Sequence, residues 1–133
     1  MLRIIVDADI LVALAKSDDS NHQRALALMR QWVGKVRICV SPFSIPEAAT
    51  VLSYRVSQLA AKKFLETARG KHIEELTVTD EITALTDSVF LSQSSNGISW
   101  PDCLNVAMYK YYKLDAISAF DKFYKKLKLK VLA

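Results

Sequence analysis

Apolar positions along the chain follow two rhythms. Leu2 to Val6 is a short, branched run, apolar at nearly every position, and predicts a strand buried on both faces. From Asn21 to Val33 the rhythm becomes helical, with Ala25, Leu28, Met29, Trp32 and Val33 on one stripe and Gly34 to end it. "VRICV" (36–40) is a second strand, and Ser41-Pro42 turns into a helix that runs through Val56. Ala60, Ala61, Phe64, Leu65 and Ala68 mark another helix, closed by Gly70. "IEELTV" (73–78) predicts the third strand, and Ile82, Leu85, Val89 and Phe90 stripe the helix after it. "SSNG" (94–97) is a loop; Leu104, Ala107, Met108 and Tyr111 then stripe a helix beginning near Ser99. "AISAF" (116–120) is a fourth strand, and "LKLKV" (127–131) alternates like a half-exposed edge strand. Strands separated by helices predict an α/β fold: a central parallel β-sheet flanked by helices on both faces.

Composition narrows the class. A length of 133 residues suits one domain, expected to span 1–133, with neither repeats nor a linker. Half the residues are hydrophobic, and Gly and Pro are scarce at three each, as in a compact globular protein. No apolar run reaches the roughly 18 residues of a membrane span, and "MLRIIV" does not read as a signal peptide. Cys39 and Cys103 have no C-x-x-C spacing, which predicts buried reduced thiols and a cytoplasmic protein. His22 and His72 stand apart from them and from each other, against a zinc site. The net charge of +4 is modest, but five lysines fall between Lys122 and Lys130. That run reads either as a solvated helix and a guarded edge strand or as a phosphate-binding patch.

The candidate chemistry lies in the acids. Singly, each has a structural reading. Asp9 can cap the helix after the first strand; Glu47 lies three after Ser44, and Asp102 three after Ser99, as in capping boxes; Asp121 can cap a terminal helix. Together, Asp7, Glu47, Asp102 and Asp121 fall near helix starts, three of them shortly after predicted strands and Asp102 after a loop. In an open parallel sheet the carboxyl ends of the strands share one edge, where ligands bind. Carboxylates that converge there repel one another, and a divalent cation removes the conflict. An all-oxygen ligand set points to Mg²⁺ or Mn²⁺.

"IIVDADILVAL", the Glu47 of "SPFSIPEAATVLSYR", and "GISWPDCLNVAMYKYYKLDAISAFDKFYKKLKLKVL" resemble a PIN domain, and more narrowly a VapC-type toxin ribonuclease of a toxin–antitoxin pair. The resemblance covers essentially the whole chain and is most specific in its last third, in S-x-x-D and F-D-K-x-[FY]. It implies that Asp7, Glu47, Asp102 and Asp121 serve phosphodiester cleavage with one or two Mg²⁺ or Mn²⁺ ions. Asp7 and Asp102 are assigned as principal ligands, Asp121 as a ligand through water or to a second ion, and Glu47 to the attacking water. It implies, too, a homodimer and an antitoxin that sets a basic side chain near the acids. RNA is the expected substrate, with Lys122, Lys125, Lys126, Lys128 and Lys130 as candidates for its flanking phosphates.

Two positions depart from the family pattern. Ala119 stands where many members have Ser or Thr, with Ser118 one residue off and facing the other way on a strand. Asp9 stands where many have Asn, and is expected to cap the next helix at the border of the site. Tyr109, Tyr111 and Tyr112 are expected as core or dimer contacts more than as base-stacking groups. Two other classes stay open: a non-catalytic PIN-like module that binds RNA or protein, and a haloacid-dehalogenase-like phosphatase, which "VDADIL" also resembles.

Overall fold

The computed structural model describes residues 1–70 and 72–133. In chain order the elements are β1 (Leu2–Val6), α1 (Ala8–Ala15), α2 (His22–Trp32), β2 (Val36–Val40), α3 (Ser44–Arg55), α4 (Gln58–Ala68), β3 (Ile73–Glu75), α5 (Asp80–Leu91), α6 (Trp100–Tyr111), β4 (Ala116–Ser118), α7 (Phe123–Lys126) and β5 (Val131–Leu132). The five strands form one parallel sheet in the order β3-β2-β1-β4-β5. This is the expected α/β architecture.

β1 lies at the centre, and its side chains divide between two cores because a strand alternates faces. Ile4 and Val6 join Val40, Ala116 and the apolar stripes of α1 to α4 on one face. Ile5 joins Cys39, Ile117 and the stripes of α5, α6 and α7 on the other. That two-sided burial is why Ile4, Ile5 and Val6 read as an unbroken apolar run. Both cysteines are buried free thiols among the described residues, and burial pushes each up to about 11. No helix among the described residues is long and apolar enough to cross a membrane.

The structure trims four expectations. β4 ends at Ser118, short of the expected Phe120. Leu2, at the open end of β1, is exposed. β3 stops at Glu75, although Leu76 still donates its backbone N–H to the Val40 carbonyl at 2.9 Å. "LKLKV" pairs only from Val131, because Lys128 and Leu129 close the last turn of α7 instead: their N–H groups bond back to Lys125 and Tyr124, with Lys128 at φ +59°.

Helix starts follow their caps. Ser57 accepts from the Ala60 N–H, Thr79 from Ile82 and Ser99 from Asp102. The box expected at Ser44 and Glu47 does not form. Ser44 lies inside α3, its hydroxyl 3.2 Å from that of Ser41, so Glu47 owes nothing to a cap.

Candidate active site at the switch point of the sheet

After β1 the chain builds β2 and β3 on one side, then crosses to β4 and β5 on the other. The crevice outside the carboxyl ends of β1 and β4 is therefore the topological switch point, where open α/β sheets bind ligands. Asp7 leaves the end of β1 there, its N–H held by the Ser118 carbonyl of β4 at 2.9 Å. A cavity of about 620 Å³ opens at this point, lined by Asp7, Asp9, Asp19, Glu47, Asp102 and Asp121 together with Asn21, Ser99, Phe120 and Arg55. All four acids singled out in the sequence reach it.

The cap expected of Asp9 falls to Asp7, which keeps its place at the strand end in the crevice. The helix starts at Ala8, so Asp7 is the cap: its Oδ1 accepts from the Asp9 N–H at 3.1 Å. Asp7 Oδ2 accepts from the Tyr124 hydroxyl at 2.5 Å. Asp9 instead sends Oδ2 across the crevice, where it accepts from the N–H groups of Phe120 and Asp121, each at 3.0 Å. It thereby ties the loop that carries Asp121 to α1. Its Oδ1 is buried with no hydrogen-bond partner among the described residues. Replacing Asp9 by Ala should cost about 1–3 kcal/mol in denaturant unfolding by freeing two N–H donors, whereas Asn keeps the acceptor and should be no less stable than wild type. Equal losses for the two variants would show that the carboxylate oxygen does not hold the loop.

Asp102 combines both readings given to it. It forms the capping box with Ser99, accepting from the Ser99 N–H at 3.4 Å while its own N–H donates to the Ser99 hydroxyl at 3.1 Å. Its Oδ1 lies 3.5 Å from the Tyr124 hydroxyl. Asp121 is exposed at the start of α7, where Oδ1 accepts from the Phe123 N–H at 2.9 Å. Ser118 faces away and donates to the Leu132 carbonyl, and buried Ala119 brings no hydroxyl to the crevice.

The electrostatics are those of crowded, unneutralised acids. Burial raises Asp7 above the ordinary carboxylate range, hydrogen bonds from Tyr124 and Asp9 oppose this, and Asp102 and Asp121 add repulsion. Asp9 is pushed up to about 7, by burial first and by Asp7 second. Glu47 is raised by partial desolvation and then by Asp7 and Asp102. Asp102 is raised by burial, with the Ser99 bonds opposing. Among the described residues the ion pairs are Arg3–Glu74, Lys16–Asp18 and Arg69–Glu75, so no crevice acid has one.

The donor set fits a hard divalent cation: oxygen ligands only, several of them anionic, and one buried carboxylate oxygen without a partner. Among the described residues, no three acids, histidines or cysteines are already gathered around a common bonding point.

Other expected groups fall elsewhere. Lys122, Lys125, Lys126, Lys128 and Lys130 are all outside the crevice lining. Arg55, near the end of α3, is its one basic lining residue among those described. Tyr112 donates to the Thr77 carbonyl and meets Tyr111 edge-on, in place of forming a stacking platform. Sequence reasoning missed Asn105 and the part played by the hydroxyl of Tyr124, the last residue of F-D-K-x-[FY]; the two face each other beneath the acids, three residues after Asp102 and Asp121.

A family model described as PIN domain matches residues 4–129. No curated protein matches in sequence. Among solved structures, VapC20 of Mycobacterium tuberculosis, a sarcin-ricin loop cleaving toxin, is similar with TM-score 0.82 and 20% identity, 95% of each chain being covered. VapBC2 of Rickettsia felis, bound to a DNA fragment from its promoter, gives 0.71 at 13% identity over 98% of each chain. A toxin–antitoxin complex from Klebsiella pneumoniae gives 0.68 at 13%, over 98% of this chain and 96% of the other. At these identities the likeness is one of fold.

Proposed function

The chain belongs to the PIN domain family, and on that footing we propose that it is a divalent-metal-dependent ribonuclease, the toxin of a toxin–antitoxin pair. One observation carries the reading: unneutralised acids from α1, α3, α6 and the β4–α7 loop converge on the switch point of a PIN-family sheet. Asp7 and Asp102 would hold the ion, Mg²⁺ or Mn²⁺, with Asp121 at its exposed side. A bound ion would acidify a water and withdraw charge from the phosphoryl group.

The chain's own side chains supply the rest. Glu47, on the first turn of α3 and free of any capping bond, takes up the proton of the attacking water. Its raised pKa brings it nearer to neutral pH, which suits a base that must also release the proton. Asp9 fixes the loop that carries Asp121. Arg55 offers positive charge to a substrate phosphate that the acids alone would repel.

Incubation with Mn²⁺ and single-stranded RNA, beside a phosphomonoester, tests the proposal. RNA fragments that disappear with chelator support it. Released phosphate would favour the phosphatase reading, and neither product a binding module.

The lysine run is assigned to RNA outside the crevice. Neutralising two of its members, Lys122 and Lys125, should weaken RNA binding and lower the slope of log K against log salt by about 0.7 for each single-strand phosphate they no longer neutralise. An unchanged slope would make these lysines ordinary surface charge.

The partner is proposed as an antitoxin. Similar folds occur in VapBC2 and in the Klebsiella pneumoniae toxin–antitoxin complex, and an incoming Arg would neutralise the crevice while blocking substrate. An apolar cavity of about 550 Å³ between α1, α2 and α4, lined by Leu11, Leu14, Met29 and Phe64, offers room for the apolar part of such a partner. A homodimer is also proposed. Tyr54, Val56 and Leu59 are exposed where α3 meets α4, and Leu91 is exposed at the end of α5.

A further inference from the structure

We infer that Tyr124 is a positioning residue, its hydroxyl fixing the orientation of Asp7 at the base of the crevice, beside Asp102. The inference rests on the metal-dependent reading above and deepens it. Tyr124 is fully buried on α7, and its ring packs against Phe123 with centroids 5.2 Å apart. A phenylalanine would fill the same space, so packing does not call for the hydroxyl. A hydroxyl in such surroundings is costly unless bonded.

The bonds it makes are directional. Asn105 Nδ2 donates to the Tyr124 oxygen at 3.0 Å, which leaves the single phenolic proton free to point at a carboxylate. It goes to Asp7 Oδ2 at 2.5 Å, with Asp102 Oδ1 at 3.5 Å as the alternative acceptor. One hydroxyl therefore lies between Asp7, just past the end of β1, and Asp102 on α6, and donates to Asp7.

The arrangement also joins the elements that carry the site. Asn105 follows Asp102 by one helical turn, and Tyr124 stands three residues after Asp121. The Asn105–Tyr124 bond thus locks α6 to α7. Asn105 Oδ1 is left buried without a partner, so the pair is not a fully satisfied network, and an apolar pair would serve the core better. What the polar pair provides is control of carboxylate orientation, which outer-shell groups exert on metal ligands.

Tyr124→Phe tests this with Mn²⁺ affinity, read from the paramagnetic resonance signal of free ion during titration. The dissociation constant is expected to rise about 10- to 100-fold, with RNA cleavage lost at low Mn²⁺ and recovering as Mn²⁺ is raised. A wild-type affinity in the variant would overturn the inference, even with a lowered melting temperature in chelator, since a purely structural hydroxyl predicts that pair of results. Wild-type protein that binds no Mn²⁺ would overturn the ribonuclease reading and the inference together. Should Tyr124→Phe not fold, Asn105→Leu releases the hydroxyl while keeping volume. It should weaken Mn²⁺ binding in the same direction by a smaller factor, and unchanged affinity there would equally overturn the inference.

Discussion

Asp7→Asn and Asp102→Asn are each expected to lower RNA cleavage on the order of 10³-fold or more, while the protein stays folded. A Lewis-acid ion contributes several kcal/mol to the transition state, and each 1.36 kcal/mol is a factor of ten in rate. Asn is close in size to Asp and keeps one acceptor oxygen, so the Asp7 cap on α1 and the Ser99 contact of Asp102 survive. What disappears is the charge that would hold the ion. Glu47→Gln should cost about 10²- to 10⁴-fold, the usual worth of a proton acceptor, and is told apart by leaving metal binding nearly unchanged. The measurement is initial cleavage rate across a Mn²⁺ titration. Wild-type rates in both Asn variants, or full activity in excess chelator, would remove the acids from the mechanism.

The second large effect concerns stability. In chelator the wild type should melt lower at pH 8 than at pH 5. Asp7, Asp9, Glu47 and Asp102 all have folded-state pKa values raised above their ordinary ones, Asp9 to about 7. Between the unfolded value near 4 and that folded value, the native state holds more protons than the unfolded chain, so stability falls as pH rises. Above both values the cost is complete. Mn²⁺ at a hundred times its dissociation constant should then restore about 2.7 kcal/mol at pH 8. Asp102→Asn removes one charge from the cluster and should melt at or above wild type in chelator, with a smaller gain from Mn²⁺. Melting curves that ignore both pH and Mn²⁺ would mean that the acids are caps and nothing more.

The sheet was legible from the chain because a central parallel strand needs branched apolar residues on both faces, and Ile4, Ile5 and Val6 supply them. The convergence of Asp7, Glu47, Asp102 and Asp121 was legible because strand ends and helix starts locate a switch point before any coordinates exist. The division of labour between Asp7 and Asp9 was not. Two acids at alternate positions each suit a cap, and a shift of the helix start within ordinary boundary error reassigns them. The partners of Asp9 lie 111 and 112 residues away, so no local pattern announces them. The role of the Tyr124 hydroxyl was hidden for a related reason, although the residue itself closes F-D-K-x-[FY]. A buried aromatic in a short helix reads as core, and its hydroxyl acquires meaning only from Asp7, 117 residues distant.

The pairing of β1 with β4 sets the moment at which the crevice can exist during synthesis. Asp7 is made more than a hundred residues ahead of its partners: the strand that holds its N–H, the N–H groups that bind Asp9 and the hydroxyl that orients Asp7 all lie beyond residue 115. A ribosome-bound nascent chain can build β1, β2 and their helices first, since domains form from the amino end as they are made. It has no competent site until the segment from β4 to α7 has left the exit tunnel and folded back across the sheet. Unfinished chains are thus unarmed.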